Sequence, residues 1–223
     1  MKNQETEIKY RRKPIYAFFK RLADIICSFI GILFFILPFI IVAIAIKVDS
    51  RGPVLFKQDR VGRNKKIFKI LKFRSMRVDT DPNAPTHELQ NADSHITKVG
   101  RILRKTSLDE LPQLFNIFVG HMSIVGPRPA LWNQYDLIEE RDKYFANRVR
   151  PGLTGLAQIM GRDQLEIPIK AKYDGEYVRK REFFYDISLI FRTFTYVLKH
   201  EGVVEGGTGA MKKQEEENKK WES

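Results

Sequence analysis

Ile25-Ile-Cys-Ser-Phe-Ile-Gly-Ile-Leu-Phe-Phe-Ile-Leu-Pro38-Phe-Ile-Ile-Val-Ala-Ile-Ala-Ile46 contains no charged side chain, and the architecture turns on how this run is read. As one straight helix it would rise about 33 Å, close to the roughly 30 Å hydrocarbon core of a bilayer. A plain transmembrane span is therefore the simplest reading. A cleaved signal peptide is a second, because Ala43-Ile44-Ala45 resembles a processing site. The run is too long for a signal core, however, and no secretory cysteine pattern follows it. The flanks favour a third reading. Lys9, Arg11, Arg12, Lys13, Lys20 and Arg21 precede the run, and eleven Lys and Arg stand against only Asp49 and Asp59 between Lys47 and Arg77. Basic residues mark the cytoplasmic side of membrane segments, so both ends look cytoplasmic. Pro38 removes one helical hydrogen bond and bends the helix. A Pro-kinked, re-entrant helix that enters and leaves on one face satisfies both observations. The carbonyl freed near residue 34 then needs a partner, with Ser28 a candidate.

Around this anchor the chain has room for one ordinary domain in its 223 residues. An apolar content of 43% with 12% aromatics excludes a disordered chain. The lone Cys27 excludes a disulfide framework and a multi-cysteine zinc site. A net charge of +12 calls for an anionic partner: nucleic acid, a membrane, or a phosphorylated small molecule. The expected organisation is a basic tail over 1–14, a membrane helix over 15–47, a catalytic domain over 48–200 and a disordered tail over 201–223.

The expected fold class is α+β and mainly helical, a small membrane-associated domain with a short β-hairpin. Val54 to Met76 predicts that hairpin, with near-alternating apolar positions on either side of Gly62-Arg63-Asn64. Residues 78–95 read as a surface loop. Helices are expected over Lys98 to Lys105, from Ser107 or Asp109 onward, and from Ala130 to about Asn147. Phe183, Ile187, Ile190, Phe191, Phe194, Val197 and Leu198 follow the spacing of an amphipathic helix.

Ser107-Leu-Asp109-Glu110-Leu-Pro112 is the most informative hexapeptide. Its structural reading is a helix start, with Ser107 and Glu110 as a capping box or Asp109 as the N-cap. Its chemical reading starts from the positive helix end and the neighbouring Arg104 and Lys105, which favour an ionised carboxylate. An ionised Asp can attack phosphorus, and an adjacent Glu can hold Mg²⁺ together with substrate phosphates. In Gly126-Pro127-Arg128-Pro129 two prolines restrict the backbone around one guanidinium, a rigid way to present it to phosphate. Gly152-Leu-Thr-Gly155 reads as a turn whose glycines approach a ligand. His87, His95, His121 and His200 have no metal-ligand spacing and read as surface or packing residues.

Together these segments resemble the bacterial sugar transferases, the monotopic polyprenyl-phosphate phosphoglycosyl transferases. The resemblance rests on Lys20-Arg21-Leu-Ala-Asp24, Gly52-Pro53-Val-Leu-Phe56, Gln58-Asp-Arg60-Val-Gly62 and Phe68-Lys-Ile-Leu-Lys72-Phe-Arg74-Ser-Met76. Thr106-Ser-Leu-Asp-Glu-Leu-Pro-Gln113, Met122-Ser-Ile-Val-Gly-Pro-Arg-Pro129 and Arg150-Pro-Gly-Leu-Thr-Gly-Leu-Ala-Gln158 follow in order, so it spans roughly residues 15–200. It implies transfer of a phospho-sugar from a UDP-sugar to undecaprenyl phosphate, with release of UMP, at the cytoplasmic face of the bacterial membrane. It also implies Asp109 as nucleophile, Glu110 as Mg²⁺ ligand, Arg128 on the nucleotide-sugar phosphate, and Lys72, Arg74 and Arg104 as further phosphate contacts. Pro38 matches the family's helix-breaking proline. Two positions depart from the pattern: Leu37 where many relatives have Ser before the membrane proline, and His121 where relatives often have Asp. The competing functions are a Leloir-type glycosyltransferase, which would release UDP, and a membrane-tethered basic protein that binds acidic lipid. The latter could equally bind nucleic acid and has no use for Asp109 and Glu110, whereas the transferase reading expects no nucleic acid.

Overall fold

The computed structural model describes residues 10, 12–80, 95–161 and 165–199. The apolar run is two helices, α1 (Pro14–Phe34) and α2 (Ile36–Asp49), bent by 60° about Phe35. The bend falls three residues before Pro38, which sits in the first turn of α2. There its missing N–H costs nothing, because first-turn amides have no intrahelical partner. Among the described residues no single helix is long and apolar enough to cross a membrane, but this bent pair passes that test together. Ser28 does not serve the break. Its hydroxyl lies 2.6 Å from the Asp24 carbonyl, one turn back, the usual habit of a helical Ser.

A hairpin follows, β1 (Leu55–Val61) against β2 (Ile67–Phe73), antiparallel, with Leu55 opposite Phe73 and Val61 opposite Ile67. Phe68 and Ile70 point inward while Ile67 and Lys69 face out, as the alternation predicts. The turn carries Asn64 and Lys65 at positive φ. Next come α3 (Lys98–Lys105), capped by the Thr97 hydroxyl on the Gly100 amide, and α4 (Gln113–Val119). The expected loop over 78–95 lies mostly outside the described residues, as does the tail over 201–223.

Three sequence expectations are corrected. No helix starts at Ser107 or Asp109: Leu108–Glu110 form a 3₁₀ turn, and α4 begins only after Pro112. Ser107 is in the left-handed region and makes no capping bond, because Glu110 turns toward basic side chains instead of back to the Ser107 amide. The helix from Ala130 shrinks to α5 (Tyr135–Asp142). Leu131 bridges to Arg60 of the hairpin, and Phe145 at φ 58° ends the helical path. Gly152-Leu-Thr-Gly155 is not a turn facing a ligand. Gly152–Thr154 form β4, parallel to β3 (Ser123–Val125). A Cβ at Gly152 would lie 2.1 Å from the Gly126 amide nitrogen, and one at Gly155 2.1 Å from the Gly126 carbonyl. These glycines let two backbones touch.

The remainder is α6 (Leu156–Met160), α7 (Ile167–Lys180) and α8 (Phe183–Lys199). Helix α8 matches the expected span, and of the predicted stripe Ile190 packs against the core and Ile187 is half-buried. Leu189 is fully buried in the core with Val125, Leu156 and Tyr177, whereas Phe183, Phe184, Phe191 and Phe194 are exposed.

The Lys20-Arg21-Leu-Ala-Asp24 segment ties α1 to the rest of the fold. Lys20 pairs with Asp186 of α8 at 2.6 Å. Arg21 donates to the Ile117 and Phe118 carbonyls at the C-terminus of α4, at 2.6 and 2.7 Å. Buried Asp24 accepts from the Ser123 hydroxyl and the Ile124 amide of β3. From α2, Phe39 packs against Phe73 and Phe115, and Ile46 joins Phe73 and Leu103 in a second core. The apolar helices are thereby fixed against β2, β3, α3, α4 and α8.

Candidate active site

Asn116 sets the position of the acidic turn. Its side-chain oxygen accepts the Leu71 amide at 2.9 Å and its amide donates to the Lys69 carbonyl at 2.8 Å, so it pairs with β2 as a strand would. This bond pair holds α4, and the 3₁₀ turn before it, beside Lys72 on β2.

In that turn Asp109 and Glu110 are both buried, 3% and 7% exposed. Lys72 Nζ lies 3.0 Å from Glu110 Oε1 and 3.6 Å from Asp109 Oδ2. Arg128 Nη2 lies 3.0 Å from the same Glu110 oxygen. The prolines flanking Arg128 are themselves buried, so its backbone is fixed while its side chain reaches the acid. Two cations on one carboxylate oxygen, with a second carboxylate beside it, form a compact cluster whose basic members can exchange a carboxylate for a phosphate.

The cluster adjoins a cavity of about 280 Å³, predominantly apolar, whose walls include Glu110, Arg128, Ile124, Thr154, Gln158 and Phe194. Asp109 is not in this wall. Gln158 carries a signal that the sequence reading passed over. It is 7% exposed, and neither its amide nitrogen nor its oxygen has a hydrogen-bond partner among the described residues. A lone polar residue in Leu156-Ala-Gln-Ile-Met160 was the only hint.

Of the other predicted phosphate contacts, Arg74 and Arg104 bond neutral groups of the protein. Arg74 is buried and donates to the Ser50 and Arg51 carbonyls at 2.7 and 2.9 Å, which fastens the C-terminus of α2. Arg104 Nε bonds the Ser75 hydroxyl at 3.0 Å. Neither lines the cavity beside Glu110. His121 packs its ring on Phe68, and exposed Leu37 faces outward from α2. His87 and His200 lie outside the described residues.

For a divalent cation the donor set is limited. Among the described residues no three Asp, Glu, His or Cys side chains converge, which excludes an all-protein cage there. Two adjacent carboxylates do suit Mg²⁺, which binds through one or two carboxylates and completes its shell with substrate phosphate and water.

A model of the bacterial sugar transferases matches residues 15–200. The chain belongs to this family. Among its relatives is the UDP-glucose:undecaprenyl-phosphate glucose-1-phosphate transferase of Escherichia coli, 43% identical over 78% of this chain and 39% of the relative. The UDP-N-acetylgalactosamine-undecaprenyl-phosphate N-acetylgalactosaminephosphotransferase of Aeromonas hydrophila is 37% identical over 83% of this chain and 45% of its own length. The exopolysaccharide production protein ExoY of Rhizobium meliloti is 37% identical and is covered over 90% of its length, with 85% of this chain matched. The chain thus spans less than half of the first two relatives and nearly all of the third.

Proposed function

We propose that this family member transfers a sugar-1-phosphate from a UDP-sugar to undecaprenyl phosphate, with release of UMP, and so starts assembly of a polysaccharide or glycoconjugate. The observation that carries the reading is the buried Asp109-Glu110 pair facing Lys72 and Arg128, in a chain whose relatives are named for this reaction. One Asp109 carboxylate oxygen attacks the phosphorus that bears the sugar. The bond from that phosphorus to the oxygen bridging it to UMP breaks, and UMP leaves with the electron pair. An oxygen of undecaprenyl phosphate then attacks the same phosphorus and frees Asp109, leaving undecaprenyl-diphospho-sugar.

Incoming phosphate draws Lys72 and Arg128 off Glu110, which both binds the donor and bares the acids. Glu110 would hold Mg²⁺, which when bound supplies positive charge to the phosphate oxygens. Splitting the transfer in two means that the soluble donor and the lipid acceptor need not be bound together, so ping-pong kinetics are expected.

The bent helix pair acts as a re-entrant anchor that holds the site at the cytoplasmic membrane face. The 60° bend and the basic residues on both sides of the run support this. Pro38→Leu should favour a straight span and separate reporters fused to the two termini. Wild-type termini on opposite sides of the membrane would defeat the anchor reading.

The central test incubates the enzyme with a UDP-sugar labelled in the phosphate next to the sugar. Label should appear on Asp109 by mass spectrometry and be discharged by undecaprenyl phosphate. Release of UDP in place of UMP would overturn the reaction, and a panel of UDP-sugars scored by UMP identifies the donor.

A further inference from the structure

Strand β3 divides two cavities. Ile124 faces the one beside Glu110 and Arg128, while its neighbours Ser123 and Val125 face a larger one, of about 470 Å³, on the opposite side. Eight Lys and Arg side chains line this second cavity, six of them Arg, and Asp24 is the single carboxylate among the lining residues. Asp24 is committed to the Ser123 hydroxyl and the Ile124 amide, and Asp186 takes Lys20. Several of the other cations bond neutral groups: Lys13 the Arg181 carbonyl, Arg21 two carbonyls of α4, Arg150 the Gly120 carbonyl. Such bonds satisfy donors but leave the charge standing. Burial, with Arg21 and Arg63 close by, lowers the proton affinity of Arg150 below the ordinary range.

The geometry points to a second binding site, for a phosphate group, in this arginine-lined cavity. Guanidinium groups grip phosphate with paired hydrogen bonds, and an anion there offsets repulsion that the protein's own acids leave in place. The site is not the transfer site, because the β3–β4 ribbon separates it from Asp109 and Glu110. Its position suits the headgroup of an anionic lipid. The first turns of α1 form one wall, and Ile15, Phe18, Phe19 and Leu22 are exposed on those same turns. Free phosphate shares the chemistry.

The test uses the full-length chain in neutral detergent, with hydrogen exchange followed over residues 13–24 and 148–152. Short-chain phosphatidylglycerol, inorganic phosphate and short-chain phosphatidylcholine are each titrated. Phosphatidylglycerol should slow exchange in both segments and phosphatidylcholine should not. Equal protection by inorganic phosphate makes the site a reader of soluble phosphate; protection by phosphatidylglycerol alone makes it a lipid site. Arg63 and Arg148 have exposed side chains, so R63E/R148E should fold and raise the half-saturating concentration by about tenfold or more. R63E alone, on the hairpin turn, should give a smaller shift in the same direction. Absence of protection by either anion, or variants that bind as wild type does, overturns the site. Transfer by R63E in detergent should match wild type. The binding result stands or falls separately from the transfer reaction, because it needs no turnover.

Discussion

Two of the buried acid–base clusters among the described residues are built differently. Arg141 and Asp174 are 4% and 1% exposed and meet through two short contacts, Nη2 at 2.6 Å and Nε at 2.8 Å, both on Asp174 Oδ2. One acid faces one base inside the packing of α5 on α7. Burial nevertheless holds the Asp174 carboxyl above its ordinary range, with Arg141 pulling the other way. In the Asp109-Glu110 cluster two acids face two bases at 3.0 to 3.6 Å, and a cavity opens at Glu110 and Arg128. The first cluster is matched and closed. The second is shared and open on one side, so a phosphate can enter the exchange. Burial of charge is common to both, and the opening at Glu110 and Arg128 distinguishes the second.

Five substitutions sharpen or break this contrast. Asp109→Asn should lower turnover by at least about 10³-fold, as expected on removing a nucleophile, and should leave the thermal midpoint nearly unchanged. An Asp109→Asn protein that unfolds would place this cluster with the structural one. Arg141→Ala should cost about 3–5 kcal/mol of stability by stranding Asp174, read by denaturant unfolding, while any folded fraction keeps its activity. Arg128→Ala should reduce kcat/KM for the UDP-sugar by about 10- to 100-fold, the worth of one charged hydrogen bond, with little change in stability. Smallest is Ser107→Ala, expected to change stability by less than about 0.5 kcal/mol, because Ser107 makes no cap bond. Thr97→Ala, which loses a real cap on Gly100, should cost about 1 kcal/mol.

The hairpin was legible because alternation is a local signal: Phe68 and Ile70 face the core while Lys69 does not. Helix α3 was expected at its observed bounds, and α8 was legible from its period. The acidic pair of the hexapeptide stood out in the sequence, but its conformation did not. Its capping pattern competes with two cations, Lys72 and Arg128, that arrive from 38 and 18 residues away. Those long-range ion contacts outweigh one local bond. The bonds of Arg74 to two carbonyls and of Arg104 to a hydroxyl could not be read, since nothing in a basic residue's sequence neighbours says which group it will meet. In the same way the Lys20-Arg21-Leu-Ala-Asp24 stretch was readable as a marker of kinship and not as three separate ties to α8, α4 and β3.

Residue order alone was sufficient for the apolar run and its basic borders, the kink-prone proline, the acidic pair and the family to which the chain belongs. Each of these is a matter of composition or spacing along the chain. Folding settled which charges meet. It sent Arg74 to the end of α2, Lys72 and Arg128 to Glu110, and turned Gly152 and Gly155 into a seat for the Gly126 backbone. Charge pairing and close backbone contact depend on distances between residues far apart in the chain, and a linear pattern does not carry those distances.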